Sequence, residues 1–345
     1  MLQPSLAHRI MRRFSSVWRA TLVLIVALLV SLGQHTPSAA AQVGRAPISI
    51  DNRVILRELV RIPFPNTNAV TWSPDSLRLA AATAGGAFLF DTPMLLTGVS
   101  APSVIGDLSV DAPVQAVAFR PATPEVALAI GGRIEFWNTT ANVQTGTLDG
   151  IAPIAFDQTG TLFAYVSGDG LRVIVVDSVS KDPVMELTGH TERILDMRFA
   201  PFGTTFVSVS LDNTLRVWDA VSGAQFRFQR SRSREFTSVT FSPTGAIIAS
   251  AVERGMIRLL NLPVTTERAF TVRSPRTDVS SVDFNPLGNL IVYTVGDTLQ
   301  VWDMNDNSEP TVFPLGVTAR EARFSPDGSL LALLTDDGMI QLWGI

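Results

Sequence analysis

Apolar and polar positions alternate along most of the chain in short bursts, and the bursts are cut by Gly, Pro, Asp and Asn. The last 25 residues show the grammar. Glu321–Phe324 is a short alternating run, Ser325-Pro326-Asp327-Gly328 is a turn, and 329–334 (SLLALL) is an apolar run. Thr335-Asp336-Asp337-Gly338 turns again, and 339–343 alternates once more. A period of two bounded by turn residues predicts half-buried strands. Pro presets φ, Asp bonds nearby backbone, and Gly takes the position that needs positive φ. No helical period survives three turns without a breaker.

The same phrase recurs seven times. Its aromatic anchors are Trp72, Phe119, Phe156, Phe199, Phe241, Phe284 and Phe324, spaced 37 to 47 residues apart. Each is followed 18 to 20 residues later by Phe90, Trp137, Val176, Trp218, Leu260, Trp302 or Trp343. A further strand closes each unit, as at Pro183–Leu187. A period of this size marks a repeat architecture. The chain ends on the third strand of its seventh unit, and 54–59 (VILREL) precedes the first. Those residues are the expected fourth strand, joining the two ends of the chain into a ring without an open edge.

The phrase Leu187-Thr188-Gly189-His190, followed by Phe199 and then by 208–219 (SVSLDNTLRVWD), resembles a WD repeat, with its Gly-His start and Trp-Asp end. The likeness extends over all seven units. The resemblance implies an all-β fold: a seven-bladed propeller of four-stranded antiparallel blades. It also implies a buried hydrogen-bond chain of His190, Ser208 or Ser210, Asp212 and Trp218. Only the fourth unit has the full set. The seventh keeps Asp337 and Trp343 but has Leu315 in place of histidine, and the other blades are expected to rely on apolar packing.

The first forty residues differ from the rest. Arg9, Arg12, Arg13 and Arg19 precede the uncharged run 20–32 (ATLVLIVALLVSL), and Ala39-x-Ala41 follows. A basic start, a short apolar core and a small-x-small site describe a secretory signal peptide over 1–41. The alternative is an uncleaved anchor touching the membrane through residues 20–33. Residues 42–49 are expected as a linker and 50–345 as the propeller. Either way the propeller is expected outside the cytoplasm: secreted, periplasmic or at the cell surface.

The 345-residue chain has 27 basic and 31 acidic residues, and loss of the first 41 residues would take the net charge from −4 to −8. That balance gives no reason to expect nucleic acid as a partner. The absence of cysteine excludes thiolate chemistry, and His190 is the one histidine beyond residue 41. No phosphate loop, nucleophile elbow or zinc-binding helix occurs. Asp303–Asn307 starts like a calcium loop, but Ser308 and Pro314 stand where glycine and glutamate are needed. The reading is therefore a monomeric, exported, non-catalytic scaffold without cofactor or metal, for a protein or peptide partner. The alternative is a propeller hydrolase, or a glycan or small-ligand binder, with carboxylates at the channel mouth. Resemblance further places a candidate partner face at the loops entering each blade and at the second-to-third-strand turns. It comprises Arg193, Leu195, Glu235, Glu253, Asp278, Arg320 and Asp336, and Arg193 is its expected anchor. Charge on this rim gathers in units four to seven.

Overall fold

A computed structural model describes residues 45–345 except 65, 98–103, 232–235, 253–254, 263–266, 272–277 and 306–308. The signal or anchor segment 1–41, with residues 20–33, lies outside the described residues. So do Glu235 and Glu253 of the candidate face.

Seven antiparallel four-stranded sheets form the ring. Six are consecutive in sequence. The fourth, for example, takes Ile194–Phe199, Thr205–Ser210, Thr214–Asp219 and Gln225–Arg230 from the channel outward. The seventh is built from both ends of the chain: Ala319–Phe324, Leu331–Thr335 and Ile340–Gly344, then Arg57–Ile62. Each blade thus has two ends. The loop into its first strand and its second-to-third-strand turn lie at one end, here the entry face. The first-to-second and third-to-fourth-strand turns lie at the other, here the turn face. Among the described residues no helix is long and apolar enough to cross a membrane.

Closure comes from the expected segment with a shifted frame. The clasp strand is Arg57–Ile62, three residues later than the reading of 54–59. Val54 and Ile55 belong to a short 3-10 turn, Arg53–Ile55, and point into solvent at 65% and 61% exposure. Side chains decide the frame: Ile62 is buried opposite Ile340, and Val60 sits opposite Leu342. A bulge between Glu58 and Val60 lets the strand follow that register. The stretch read as a linker is not loose where it is described. Ile48 is fully buried against Leu290, Leu315 and Phe324, and its N–H donates to the Gly328 carbonyl at 2.8 Å.

Packing between blades comes from the inward and outward faces of the middle strands. Leu79, Phe90, Ala332 and Leu342 share one such layer, and Val173, Ile194, Phe206 and Trp218 share another. Turns lock the strand ends. Ser325 Oγ donates to Asp327 Oδ1 at 2.6 Å, Asp327 accepts from the Ser329 N–H at 3.0 Å, and Gly328 adopts φ +73°. A Cβ at Gly328 would meet Pro286 of the neighbouring blade at 3.1 Å, so glycine is required there twice over.

Candidate functional site

The fourth blade contains a continuous buried relay. Trp218 Nε1 donates to Ser208 Oγ at 3.0 Å. Ser208 Oγ lies 2.8 Å from His190 Nε2, and His190 Nδ1 lies 3.0 Å from Asp212 Oδ2. One protonation state satisfies every link. Neutral imidazole carrying its proton on Nδ1 donates to Asp212, and Nε2 accepts from the Ser208 hydroxyl. A second proton on Nε2 would leave the Ser208 hydroxyl, already accepting from Trp218, without its acceptor. Burial is the main force holding the His190 pKa below its ordinary value, against the pull of Asp212. Burial works against the Asp212 carboxylate too. Donation from Thr214, the Thr191 N–H and His190 nonetheless holds its pKa below the usual range.

Ser210 stands outside the relay. Its hydroxyl donates to the Glu192 carbonyl at 2.8 Å and accepts from the Asp212 N–H at 3.1 Å. It shares a strand face with Ser208, two residues away, but lies one pleat nearer the entry loop. Ser208 is therefore the serine of the relay, and Ser210 braces the turn that presents Asp212.

The blades without histidine are less apolar than expected. Trp137 Nε1 donates to Glu135 Oε2 at 3.0 Å, and Trp343 Nε1 donates to Gln341 Oε1 at 3.0 Å. Residues two apart on a strand share a face, so a polar side chain two before the tryptophan takes the role of serine. The spacings Glu135-x-Trp137 and Gln341-x-Trp343 carried that signal.

The channel, about 590 Å³, has two unlike walls. Blades one to three line it with Val70, Trp72, Phe119, Pro153, Ile154 and Phe156. Blades four to seven line it with Arg193, Asp196, Arg198, Asp283, Arg320, Glu321 and Arg323. Most of these charges are spent on each other and on the next blade. Asp196 pairs with Arg198 at 2.8 Å and accepts from the Val239 N–H at 3.0 Å. Asp283 accepts from Thr240 Oγ1 at 3.2 Å and from the Phe324 N–H at 3.0 Å. Arg323 donates to Glu321 at 2.9 Å and to the Val282 carbonyl at 3.2 Å. Burial pushes the Asp283 carboxyl upward, with Arg323 the chief opposing influence. Burial acts to lower the Arg323 pKa, but Glu321, Asp283 and Asp196 outweigh it and hold the guanidinium above its usual range. Asp196 and Asp283 thus stitch blades together, and Glu321 holds Arg323, which reaches into the sixth blade. Among the described residues, no group of three acidic or histidine side chains is arranged to hold a metal.

On the entry face, Arg193 is exposed and Leu195 beside it is half-buried. The Arg193 guanidinium has no hydrogen-bond or ion-pair partner among the described residues. Arg320 is committed: Nε pairs with Asp336 at 3.2 Å, and Nη2 donates to the Thr67 and Thr335 carbonyls at 3.3 and 3.2 Å. It bridges the seventh blade to the first. Asp278 is exposed at the entry to the sixth blade.

A closed ring of seven four-stranded blades, one of them holding a His-Ser-Asp-Trp relay, defines a β-propeller of the WD-repeat class. The family model for the WD domain, G-beta repeat, matches residues 181–219, which run from the outer strand of the third blade through the first three strands of that blade. The chain is a WD-repeat protein. It is similar to U3 small nucleolar RNA-associated protein 21 of Saccharomyces cerevisiae, at 33% identity over 128 residues, which is 36% of this chain and 13% of the relative. It is similar to telomerase protein component 1 of Mus musculus at 26% identity, over 66% of this chain and 9% of the relative. A third relative is the anaphase-promoting complex subunit cdc20 of Dictyostelium discoideum, at 36% identity over 31% of this chain and 23% of the relative. The chain therefore spans less than a quarter of the length of each of these three proteins.

Proposed function

We propose that this chain is a non-catalytic scaffold outside the cytoplasm that binds a protein or peptide segment on the entry face of its ring. The observation that carries the reading is the contrast between Arg193 and the rest of the charged wall. The channel carboxylates are occupied by neighbouring backbone and arginine groups, whereas Arg193 offers an unpartnered guanidinium beside the half-buried Leu195. Arginine next to an apolar side chain is a common anchor of protein interfaces. Relatives whose names describe a complex subunit and a protein component fit a platform role. Export is supported by the basic start, apolar core and Ala39-x-Ala41 site of the first 41 residues.

The test is a side-by-side capture with the full chain and its Arg193→Ala variant. A genuine partner is expected to lose more than about 1 kcal/mol of binding with the variant, while the melting curve is unchanged. A partner that binds both equally, yet is lost on substitution at the opposite face, would show the assignment of the face to be wrong.

A further inference from the structure

The exposed apolar side chains are unevenly placed. Those on turns and loops are Phe202 (74% exposed), Val179 (70%), Val54 (65%), Leu287 (61%), Ile55 (61%), Val221 and Met94. All lie at the turn face. Phe202 and Leu287 sit in first-to-second-strand turns, between Phe199 and Thr205 and between Phe284 and Leu290. Val179 and Val221 sit in third-to-fourth-strand turns. The remaining large exposed apolar residues belong to outer strands, and among the described residues none lies on the entry loops or second-to-third-strand turns. Single exposed apolar residues are ordinary. Their confinement to one of two faces is not.

The N-terminal segment leaves from that same face. Ile48 is bonded to the Gly328 carbonyl and to Asn285 Nδ2, both in first-to-second-strand turns. Only residues 33–47 separate it from the apolar run that ends at Leu32. Fifteen residues reach roughly 50 Å at full extension. A bilayer holding residues 20–32 therefore lies within reach of the turn face.

We propose that the turn face is a lipid-contacting surface, on which Phe202, Leu287, Val179 and the Val54–Ile55 turn dip into the bilayer interface. This docking points the entry face, with Arg193, away from the membrane. The proposal rests on the proposed location only for the source of the bilayer. Contact beside Val179 and Val221 is apolar, since the neighbouring carboxylates fold back onto backbone N–H groups: Asp177 caps Val179 and Ser180, and Asp219 caps Val221 and Ser222. Binding should therefore be governed by apolar insertion, with little salt dependence.

Because the chain has no cysteine, single cysteines can carry nitroxide labels without background. The full chain would be labelled at Phe202→Cys or Leu287→Cys on the turn face, and at Glu192→Cys or Thr318→Cys on the entry face. Leu28→Cys reports the N-terminal segment separately. On reconstitution into phosphatidylcholine vesicles, labels 202 and 287 are expected to lose most of their collisions with an aqueous nickel chelate and gain collisions with oxygen. Labels 192 and 318 should stay aqueous. If 202 and 287 remain as aqueous as 192 and 318, the proposal is overturned, whether or not label 28 is immersed. An aqueous label 28 with 202 and 287 immersed sinks the anchor alone and supports the lipid face. Spin–spin broadening at 202 without lipid would instead assign the face to a second copy of the chain and overturn the proposal.

Discussion

Deleting Arg57–Ile62 is expected to abolish cooperative unfolding and drive the chain into aggregates. The strand supplies the fourth member of the seventh blade, and among the described residues no other strand pairs with the outer edge of Ile340–Gly344. Its loss exposes a row of unpaired N–H and C=O groups on a strand whose five residues are all buried in the intact ring. Such an edge is a template for pairing with other chains. The deletion also removes Ile62, fully enclosed with Phe90, Leu334 and Leu342, and so opens the layer between the seventh and first blades. Light scattering and size-exclusion chromatography read the outcome. A soluble variant with the parent melting temperature would show that the ring is clasped elsewhere.

The architecture was legible because it is periodic. Anchors such as Phe199 and Phe284 mark first strands, and turns such as Ser325–Gly328 mark where they end. What the sequence hid was the choice between neighbouring frames. Both 54–59 and Arg57–Ile62 read as plausible strands, and only the fit of Ile62 against Ile340 selects the second. The same limit applies to the relay. Ser208 and Ser210 are equivalent by alternation, and the strand register alone sets Ser208 between His190 and Trp218. The substitutes for the relay serine went unread for a different reason. Glu135 and Gln341 look like surface residues in an alternating strand until the indole two positions on needs an acceptor. On the rim, the spacing placed Arg193 and Arg320 on one face but could not separate their states. Arg320 is consumed in joining the seventh blade to the first, and Arg193 is not.

His190→Ala is expected to destabilise the fold by about 1–3 kcal/mol, because it strands the Asp212 carboxylate and the Ser208 hydroxyl in a buried site. Both are nearly inaccessible, so water cannot fully replace the lost bonds. A pH series separates this role from simple loss of volume. The folded pKa of His190 is held below the ordinary 6.5, chiefly by burial, so the unfolded chain takes up a proton that the folded chain refuses. Stability rises with pH wherever the unfolded state binds more protons. The His190 contribution is thus complete above about 6.5 and is lost as pH falls toward the depressed folded value. Denaturant midpoints of the parent should decline over that window, whereas those of His190→Ala should be flatter. Histidines at positions 8 and 35 are common to both proteins and cancel in the comparison. An equal decline in parent and variant would mean that His190 is not held neutral by the relay. Unchanged stability at pH 8 would mean that Asp212 and Ser208 find other partners, and that the indole of Trp218 alone secures the blade.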